Sequence, residues 1–153
     1  HCIAVDPWFI VSSVPEEARI IKMARDVNDG KPEWVIKKVK EALDGKPDAV
    51  VAALGIAFKN DIDDLRESPS LNIVKQLGQE NPQLDIRVVE PNVNALPDSL
   101  AAIPNVSQQD LDTAIAEADL ILLLVNHKEF VALDTTKLQG KTVIDTKGIW
   151  RNL

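Results

Sequence analysis

Residues 49–55 read AVVAALG, a continuous apolar run of small and β-branched side chains. Such a run is typical of a strand buried on both faces of a parallel sheet, because a half-exposed strand alternates apolar and polar residues. Similar runs recur along the chain with helical patterns between them, which predicts a doubly wound α/β domain. The other predicted strands span 86–91, 120–125 and 142–146, the helices span 69–79, 109–118 and 128–131, and the loop-rich parts span 79–82 and 91–104.

The first part of the chain has a different pattern, with apolar residues at helical spacing. Helices are predicted over 15–29 and 32–43. Pro32 either separates them or bends a single helix. We therefore expect a helical extension over 1–46, followed by the α/β domain over 47–153.

Composition excludes some classes of partner. The 153 residues carry a formal net charge of -7, which repels nucleic acids and anionic membranes, so neither is expected. The apolar runs have strand length and fall well short of a bilayer span. A single cysteine, Cys2, offers no disulfide framework and fits a reducing cytosol. Because the chain starts at His1 without a Met, we interpret it as part of a longer protein.

The loop after the first predicted strand, GIAFKNDIDDLRESPS at 55–70, lies where open parallel sheets bind ligands. Gly55 is the only glycine of this loop, whereas a dinucleotide fingerprint needs two or three, so no NAD site is predicted here. Lys59 and Arg66 could meet an anion at the next helix start, where Ser68 is the expected cap. The alternative is a solvated loop whose charges pair with one another.

Four further titratable residues lie in this loop or at the ends of other strands. Asp63 and Asp64 have no His or third carboxylate at ligand spacing, so no metal site is predicted. Glu90 ends the second strand, where dinucleotide-binding sheets place an acid that binds ribose. His127 is interpreted as a structural residue, because nothing in the sequence supplies a partner for it.

Six segments, in chain order, resemble the UDP-glucose/GDP-mannose dehydrogenase family and together cover nearly the whole chain. The combination of GIAFK and DDLRESP in one loop is the most specific of them. The segments are HCIAVDPWFI (1–10), ARDVNDGKPEWVI (24–36), LGIAFKNDIDDLRESPS (54–70), VVEPN (88–92), VNHKEF (125–130) and IDTKGIW (144–150).

Members of this family combine an N-terminal NAD-binding domain, a central helical dimerisation segment and a C-terminal Rossmann-like domain that helps to bind the nucleotide sugar. The resemblance implies that 1–46 is the end of the central segment and that 47–153 is the C-terminal UDP-sugar-binding domain. It also implies a cytoplasmic homodimer with NAD as the cofactor, bound mainly by the N-terminal domain. The part of the enzyme given by this chain is expected to bind a UDP-sugar at most and to be inactive alone.

The implied reaction is a four-electron oxidation of the sugar C6 alcohol to a uronate through a thiohemiacetal and a thioester. Cys2 matches the nucleophile, and Asp6 matches an acid that assists proton transfer or water activation. Related UDP-glucose enzymes carry Lys where this chain has Val5, so the chain departs from the family there. The ends of the chain most resemble enzymes that oxidise UDP-N-acetyl-D-mannosamine.

The remaining site residues implied by the resemblance bind the substrate. Phe58 and Lys59 match residues expected at the nucleotide sugar. Arg66 either contacts the ligand or holds the loop through the neighbouring aspartates, and the second role is favoured. Lys147 falls where many relatives have Arg and is expected to contact the substrate.

Other functions stay open. The substrate could be UDP-glucose, UDP-GlcNAc, UDP-GalNAc or GDP-mannose, because the sugar pocket is formed largely by residues before His1. The chain could instead be a non-catalytic α/β module for nucleotide binding or dimerisation, which has no use for Cys2 and Asp6. A receiver-like phospho-acceptor domain is not expected, because its Asp would end a strand rather than lie in mid-loop.

Overall fold

A computed structural model describes residues 2–151. At its centre is a five-stranded, parallel sheet with the strand order β3-β2-β1-β4-β5. The strands are β1 (Val50–Leu54), β2 (Asp85–Val89), β3 (Val106–Gln108), β4 (Leu120–Leu123) and β5 (Thr142–Asp145). The expected α/β fold is therefore confirmed, and the four predicted strands lie close to their expected bounds.

The sequence did not predict β3. This strand is three residues long and pairs with β2 at the edge of the sheet. Only Val106 among its residues is buried, and the other two are exposed and polar. A short edge strand of this kind has no apolar run that would reveal it.

Helices cover both faces of the sheet and extend before it. They are α1 (Cys2–Ser13), α2 (Arg19–Asp29), α3 (Lys31–Ala42), α4 (Pro69–Glu80), α5 (Asp98–Ala101), α6 (Leu111–Glu117) and α7 (Lys128–Val131), with a 3₁₀ turn at Thr135–Leu138. Gly30 separates α2 from α3, so the two predicted helices are distinct, and Pro32 lies in the first turn of the second. Two helices were not predicted: α1, which contains Pro7, and α5, in a segment expected to be loop.

The apolar core occupies both faces of the sheet. Val51 and Ala53 of β1 pack on one face in the cluster that includes α3 and α4. Ala52 and Leu54 pack on the opposite face in the cluster that includes α6. All four side chains are fully buried, which explains why the strand sequence shows no polar alternation.

The three N-terminal helices differ in how they pack. Val35, Ile36 and Val39 of α3 are buried in the same cluster as β1, so α3 forms part of the layer that covers the sheet. Neither α1 nor α2 has a buried residue. The division of the chain at 46/47 stays a prediction.

Several large apolar side chains of α1 and α2 are exposed. Ile3 and Phe9 of α1 are 78% and 66% exposed, and Ile20 and Met23 of α2 are 84% and 62% exposed. Between residues 2 and 151, the structure contains no helix with the length and apolar character needed to cross a membrane.

The sheet places the loop after β1 at a topological switch point. β1 pairs with β2 on one side and with β4 on the other. The chain runs outward from β1 through β2 to β3 and then crosses back to β4 and β5, so the strand order reverses next to β1. In open α/β sheets, ligands bind beyond the carboxyl ends of the strands at such a point. The residues that follow β1, β2 and β4 therefore meet at the expected ligand edge.

Candidate functional site

The loop leaves β1 through a turn at Gly55. This residue has a φ of 88°, in the left-handed region, and a Cβ on it would lie 2.5 Å from the Cβ of Val125. Only glycine satisfies both conditions. Gly55 thus brings the chain after β1 against the chain after β4, and its role is structural.

Glu90, at the end of β2, points into the same turn. Its Oε2 accepts hydrogen bonds from the backbone N–H groups of Ile56 (2.8 Å) and Ala57 (3.0 Å), and its Oε1 accepts from the backbone N–H of Asn92 (3.1 Å). Burial opposes the charged form, but the hydrogen bonds from His127 and Ile56 outweigh it and lower the pKa of Glu90. Glu90 is therefore a buried, charged acceptor rather than an exposed acid that binds ribose.

The position of Glu90 also bears on NAD. In a dinucleotide site, free N–H groups after the first strand face a phosphate. Here the Glu90 carboxylate occupies the N–H groups of Ile56 and Ala57, and Val125 fills the space beside Gly55. The residues of this sheet edge do not fit an NAD pyrophosphate.

His127 completes this buried cluster. The side chain is fully buried, and its Nδ1 accepts a hydrogen bond from the backbone N–H of Asp61 (2.8 Å). Because Nδ1 is an acceptor, the ring proton lies on Nε2, which donates to Glu90 Oε2 (3.1 Å). The structure thus supplies the partners that the sequence could not, and the interpretation of His127 as a structural residue agrees with it.

An open cleft of about 910 Å³ lies between α1, α2 and the loop after β1. Phe58 and Lys59 line it from the loop. Trp8 and Phe9 line it from α1, and Arg25 lines it from α2. The structure therefore brings two of the predicted substrate-binding residues together with the helix that carries the cysteine motif.

Cys2 and Asp6 lie on α1 next to this cleft. Both are exposed and neither lines the cleft, although Ile3 and Val5, which flank them, do. Residues four apart in a helix lie one above the other on the same face. The predicted nucleophile and the predicted acid therefore share one face of α1.

The two loop residues of the cleft offer different chemistry. Phe58 is held by its backbone, whose N–H donates to the carbonyl of Asp64 (2.9 Å). Lys59 is exposed, with its ammonium 6.0 Å from the Phe58 ring centroid, and it forms no ion pair with any residue in the range 2–151. A nucleotide has a flat base and anionic phosphates, which an aromatic ring and a neighbouring cation can contact.

Arg66 and Lys147 lie outside the cleft lining. The Arg66 guanidinium is bound to Asp64 through two hydrogen bonds, which agrees with the role of holding the loop. Lys147 is exposed in the turn after β5. The carboxylate of Asp145 holds that turn by accepting from the backbone N–H groups of Lys147, Gly148 and Trp150 (2.9, 2.6 and 2.8 Å).

Trp8, Phe9 and Arg25 line the cleft but were not predicted as site residues. The Arg25 side chain is 12% exposed and pairs with Asp29 one turn later. The segment ARDVND contains this i, i+4 pair, but an ordinary surface helix shows the same pattern. Only the packing of α1 and α2 beside the loop reveals the position of these side chains.

Residues 52–152 match the protein family described as the UDP-glucose/GDP-mannose dehydrogenase family, UDP binding domain. An NDP-N-acetyl-D-galactosaminuronic acid dehydrogenase of Ralstonia nicotianae is 48% identical over 151 residues, which cover 98% of this chain and 34% of that protein. A UDP-N-acetyl-D-mannosamine dehydrogenase of Campylobacter jejuni is 51% identical over 138 residues, which cover 90% of this chain and 34% of that protein. The chain thus spans about a third of the length of these relatives.

Solved structures give the same result. A UDP-N-acetyl-mannosamine dehydrogenase from S. aureus matches with a TM-score of 0.74 and 31% identity, over 97% of this chain and 34% of that one. A UDP-D-ManNAc dehydrogenase from Pyrococcus horikoshii matches with a TM-score of 0.78 and 26% identity. The match covers 100% of this chain and 35% of that one. The motifs of the charged loop, the fold and the relatives agree: this chain belongs to the UDP-glucose/GDP-mannose dehydrogenase family and carries its UDP binding domain.

Proposed function

We propose that the chain binds the nucleotide of a UDP-sugar in the 910 Å³ cleft as part of an NAD-dependent UDP-N-acetyl-D-mannosamine 6-dehydrogenase. One observation carries this proposal: Phe58 and Lys59 of the family motif line the same cleft as the helix that begins with Cys2. A module that only bound nucleotides would not need a thiol beside the nucleotide.

The cleft suits a nucleoside diphosphate. Phe58 offers an aromatic surface to the base or ribose. Lys59, which forms no ion pair among residues 2–151, offers its positive charge to the diphosphate. Arg25 lines the cleft from α2, but its guanidinium pairs with Asp29, which also lines the cleft, so we assign the diphosphate to Lys59. This local cation matters because the chain as a whole carries a net charge of -7 and repels anions at longer range.

The catalytic part of the proposal assigns Cys2 and Asp6 to the sugar end of the substrate. A first two-electron oxidation turns the C6 alcohol into an aldehyde, to which the Cys2 thiol adds to form a thiohemiacetal. A second two-electron oxidation gives the thioester, and water releases the uronate and the free thiol. Asp6, on the same face of α1, accepts or returns the protons of these steps. NAD is the oxidant of the reaction, and we assign its binding to residues of the enzyme outside this chain, because Glu90 occupies the corresponding N–H groups here.

The choice of sugar rests on relatives. Enzymes named for UDP-N-acetyl-D-mannosamine are 43% to 51% identical to this chain, and one named for NDP-N-acetyl-D-galactosaminuronic acid is 48% identical. Both names contain an N-acetylated amino sugar. The second substrate that we consider is therefore an N-acetylgalactosamine nucleotide, ahead of UDP-glucose.

We also propose a cytoplasmic homodimer that uses the apolar surface of α2. Ile20 and Met23 are exposed there and lie outside the cleft lining, and such a surface favours association. The division into a helical segment over 1–46 and a UDP-sugar-binding domain over 47–153 is part of the same proposal. Sedimentation of the full-length protein tests the homodimer, and a monomer at all concentrations would contradict that part of the proposal.

The decisive experiment uses two preparations. Calorimetry on the 153-residue chain measures the affinity for UDP and for uridine; we expect saturable binding of UDP and much weaker binding of uridine. The full-length enzyme is then given a limiting amount of UDP-N-acetyl-D-mannosamine, and the uronate and the NADH are counted. Two NADH per sugar, lost in Cys2→Ser, support the proposal, whereas UDP binding without oxidation of any UDP-sugar would favour the non-catalytic module.

A further inference from the structure

The segment Ile56–Asp61, which carries Phe58 and Lys59, is fastened at both ends by two buried side chains. Glu90 comes from the end of β2, and His127 precedes α7. Glu90 is 3% exposed and His127 is 0% exposed. Neither residue lines the cleft, so neither is used in the proposed chemistry.

Glu90 fastens the first end. Its Oε2 accepts from the backbone N–H groups of Ile56 and Ala57 and from His127 Nε2. Its Oε1 accepts from the backbone N–H and the side-chain amide of Asn92 (3.1 and 3.2 Å). A buried carboxylate is costly unless it is fully hydrogen-bonded. Five hydrogen bonds to one carboxylate therefore give this end a single, well-defined position.

His127 fastens the second end. Its Nδ1 accepts from the backbone N–H of Asp61 at 2.8 Å. The Asp61 carboxylate in turn accepts from the backbone N–H of Lys128 at 2.9 Å. Asp61 has a φ of 60°, a left-handed conformation that costs energy for a residue with a side chain. The bond that Asp61 donates to His127 and the bond that it accepts from Lys128 hold the chain in this conformation.

We propose that Glu90 and His127 are positioning residues, which present Phe58 and Lys59 to the nucleotide in a preformed geometry. This inference rests on the proposed binding of UDP in the cleft. Without the two anchors, the segment would have to be ordered when the ligand binds, and that entropic cost would lower the affinity. The pair acts through the backbone of the loop, with no contact to the ligand.

Two substitutions of His127 separate the bond that Nδ1 accepts from Asp61 from the bond that Nε2 donates to Glu90. Asn92 Nδ2 also lies 3.1 Å from Nδ1 and shares that acceptor. His127→Asn keeps an acceptor near the position of Nδ1, for the N–H of Asp61, and loses the donor to Glu90. His127→Gln keeps a donor near the position of Nε2, for Glu90, and leaves the N–H of Asp61 without an acceptor. Because positioning depends on the Asp61 bond, we expect His127→Gln to weaken UDP binding by about tenfold and His127→Asn by less than about threefold.

Controls distinguish positioning from a general loss of stability. Ile115→Val shortens a buried side chain of α6, on the face of the sheet opposite to α3 and α4. This variant should lower stability without changing the affinity for UDP. In a Lys59→Ala background, His127→Gln should cost clearly less affinity than in the unchanged chain, because the side chain that it positions is gone. Equal costs in the two backgrounds would contradict the proposal.

The outcomes separate the inference from the proposed function. Failure of the unchanged chain to bind UDP would overturn the proposed function, and the role of the pair with it. Binding by the unchanged chain together with unaltered affinity in His127→Gln would overturn the inference alone. If that variant does not fold, amide hydrogen exchange of the unchanged chain decides. Strong protection of the Ile56, Ala57 and Asp61 amides is expected, and exchange as fast as in an open loop would overturn the proposal.

Discussion

Arg66 and Asp64 form a two-point ion pair inside the loop that carries Phe58 and Lys59. Arg66 Nε donates to Oδ1 at 2.9 Å and Nη2 donates to Oδ2 at 2.7 Å, and the Arg66 backbone N–H adds a third bond at 3.0 Å. The backbone carbonyl of the same aspartate accepts from the N–H of Phe58. Arg66 therefore supports the residue that fixes the backbone of Phe58.

This pair predicts the titration of Asp64. The hydrogen bonds from the Arg66 side chain and backbone hold the pKa of Asp64 at about 2, below its usual 3.8. Because the folded-state pKa is lowered, the pair stabilises the protein above the pKa of the unfolded chain, and this contribution is lost as the pH falls from about 4 toward about 2. In Arg66→Ala, NMR titration of the Asp64 carboxyl should show its pKa rising toward the usual value. A pKa that stayed near 2 would contradict the role assigned to Arg66.

Lys59 should contribute to binding through the phosphates. We expect Lys59→Ala to weaken binding of UDP by about tenfold and to leave binding of uridine nearly unchanged, because a charge-assisted hydrogen bond is lost only when the ligand is charged. The matched control is Lys37→Ala, which removes the same charge from an exposed side chain of α3 outside the cleft. Calorimetry with both ligands measures the difference, and equal losses in the two variants would point to long-range charge rather than to contact.

Gly55 should tolerate no side chain. Gly55→Ala places a Cβ 2.5 Å from that of Val125 and also imposes a positive φ on alanine, so we expect a loss of about 3 kcal/mol or more in the free energy of unfolding. Gly45→Ala is the matched control, since its φ is 80° but no atom lies within 4 Å of the added Cβ. Its expected cost is about 1 kcal/mol, for the backbone alone. Urea denaturation compares the two, and similar losses would show that crowding at Val125 contributes nothing.

Asp145 should stabilise the turn that displays Lys147. Asp145→Ala leaves the backbone N–H groups of Lys147, Gly148 and Trp150 without their acceptor, and we expect a loss of about 2 kcal/mol in the free energy of unfolding. Asp48→Ala, at an exposed position before β1, should change stability by less than about 0.5 kcal/mol. Urea denaturation measures both. A loss in Asp145→Ala no larger than in Asp48→Ala would show that water replaces these hydrogen bonds.

The predictability of each element follows from its burial. β1 and β4 were visible as apolar runs because both of their faces are covered. β3 was not, because only Val106 of its three residues is buried. α1 was missed for a related reason. Its apolar residues are spread around the helix, it contains Pro7 and it buries no residue, so its sequence has no amphipathic period to detect.

The sequence by itself determined the fold class, the family and the loop that carries the most specific family motifs, because local patterns and motifs carry that information. Only the tertiary structure decided how these residues are used. In the fold, Glu90 accepts hydrogen bonds from the backbone N–H groups after β1, and His127 accepts from the backbone N–H of Asp61. Trp8 and Arg25 line the same cleft as Lys59. Such relations join residues that are far apart in the chain, and they depend on which strands are neighbours and how the helices pack, which no local pattern records.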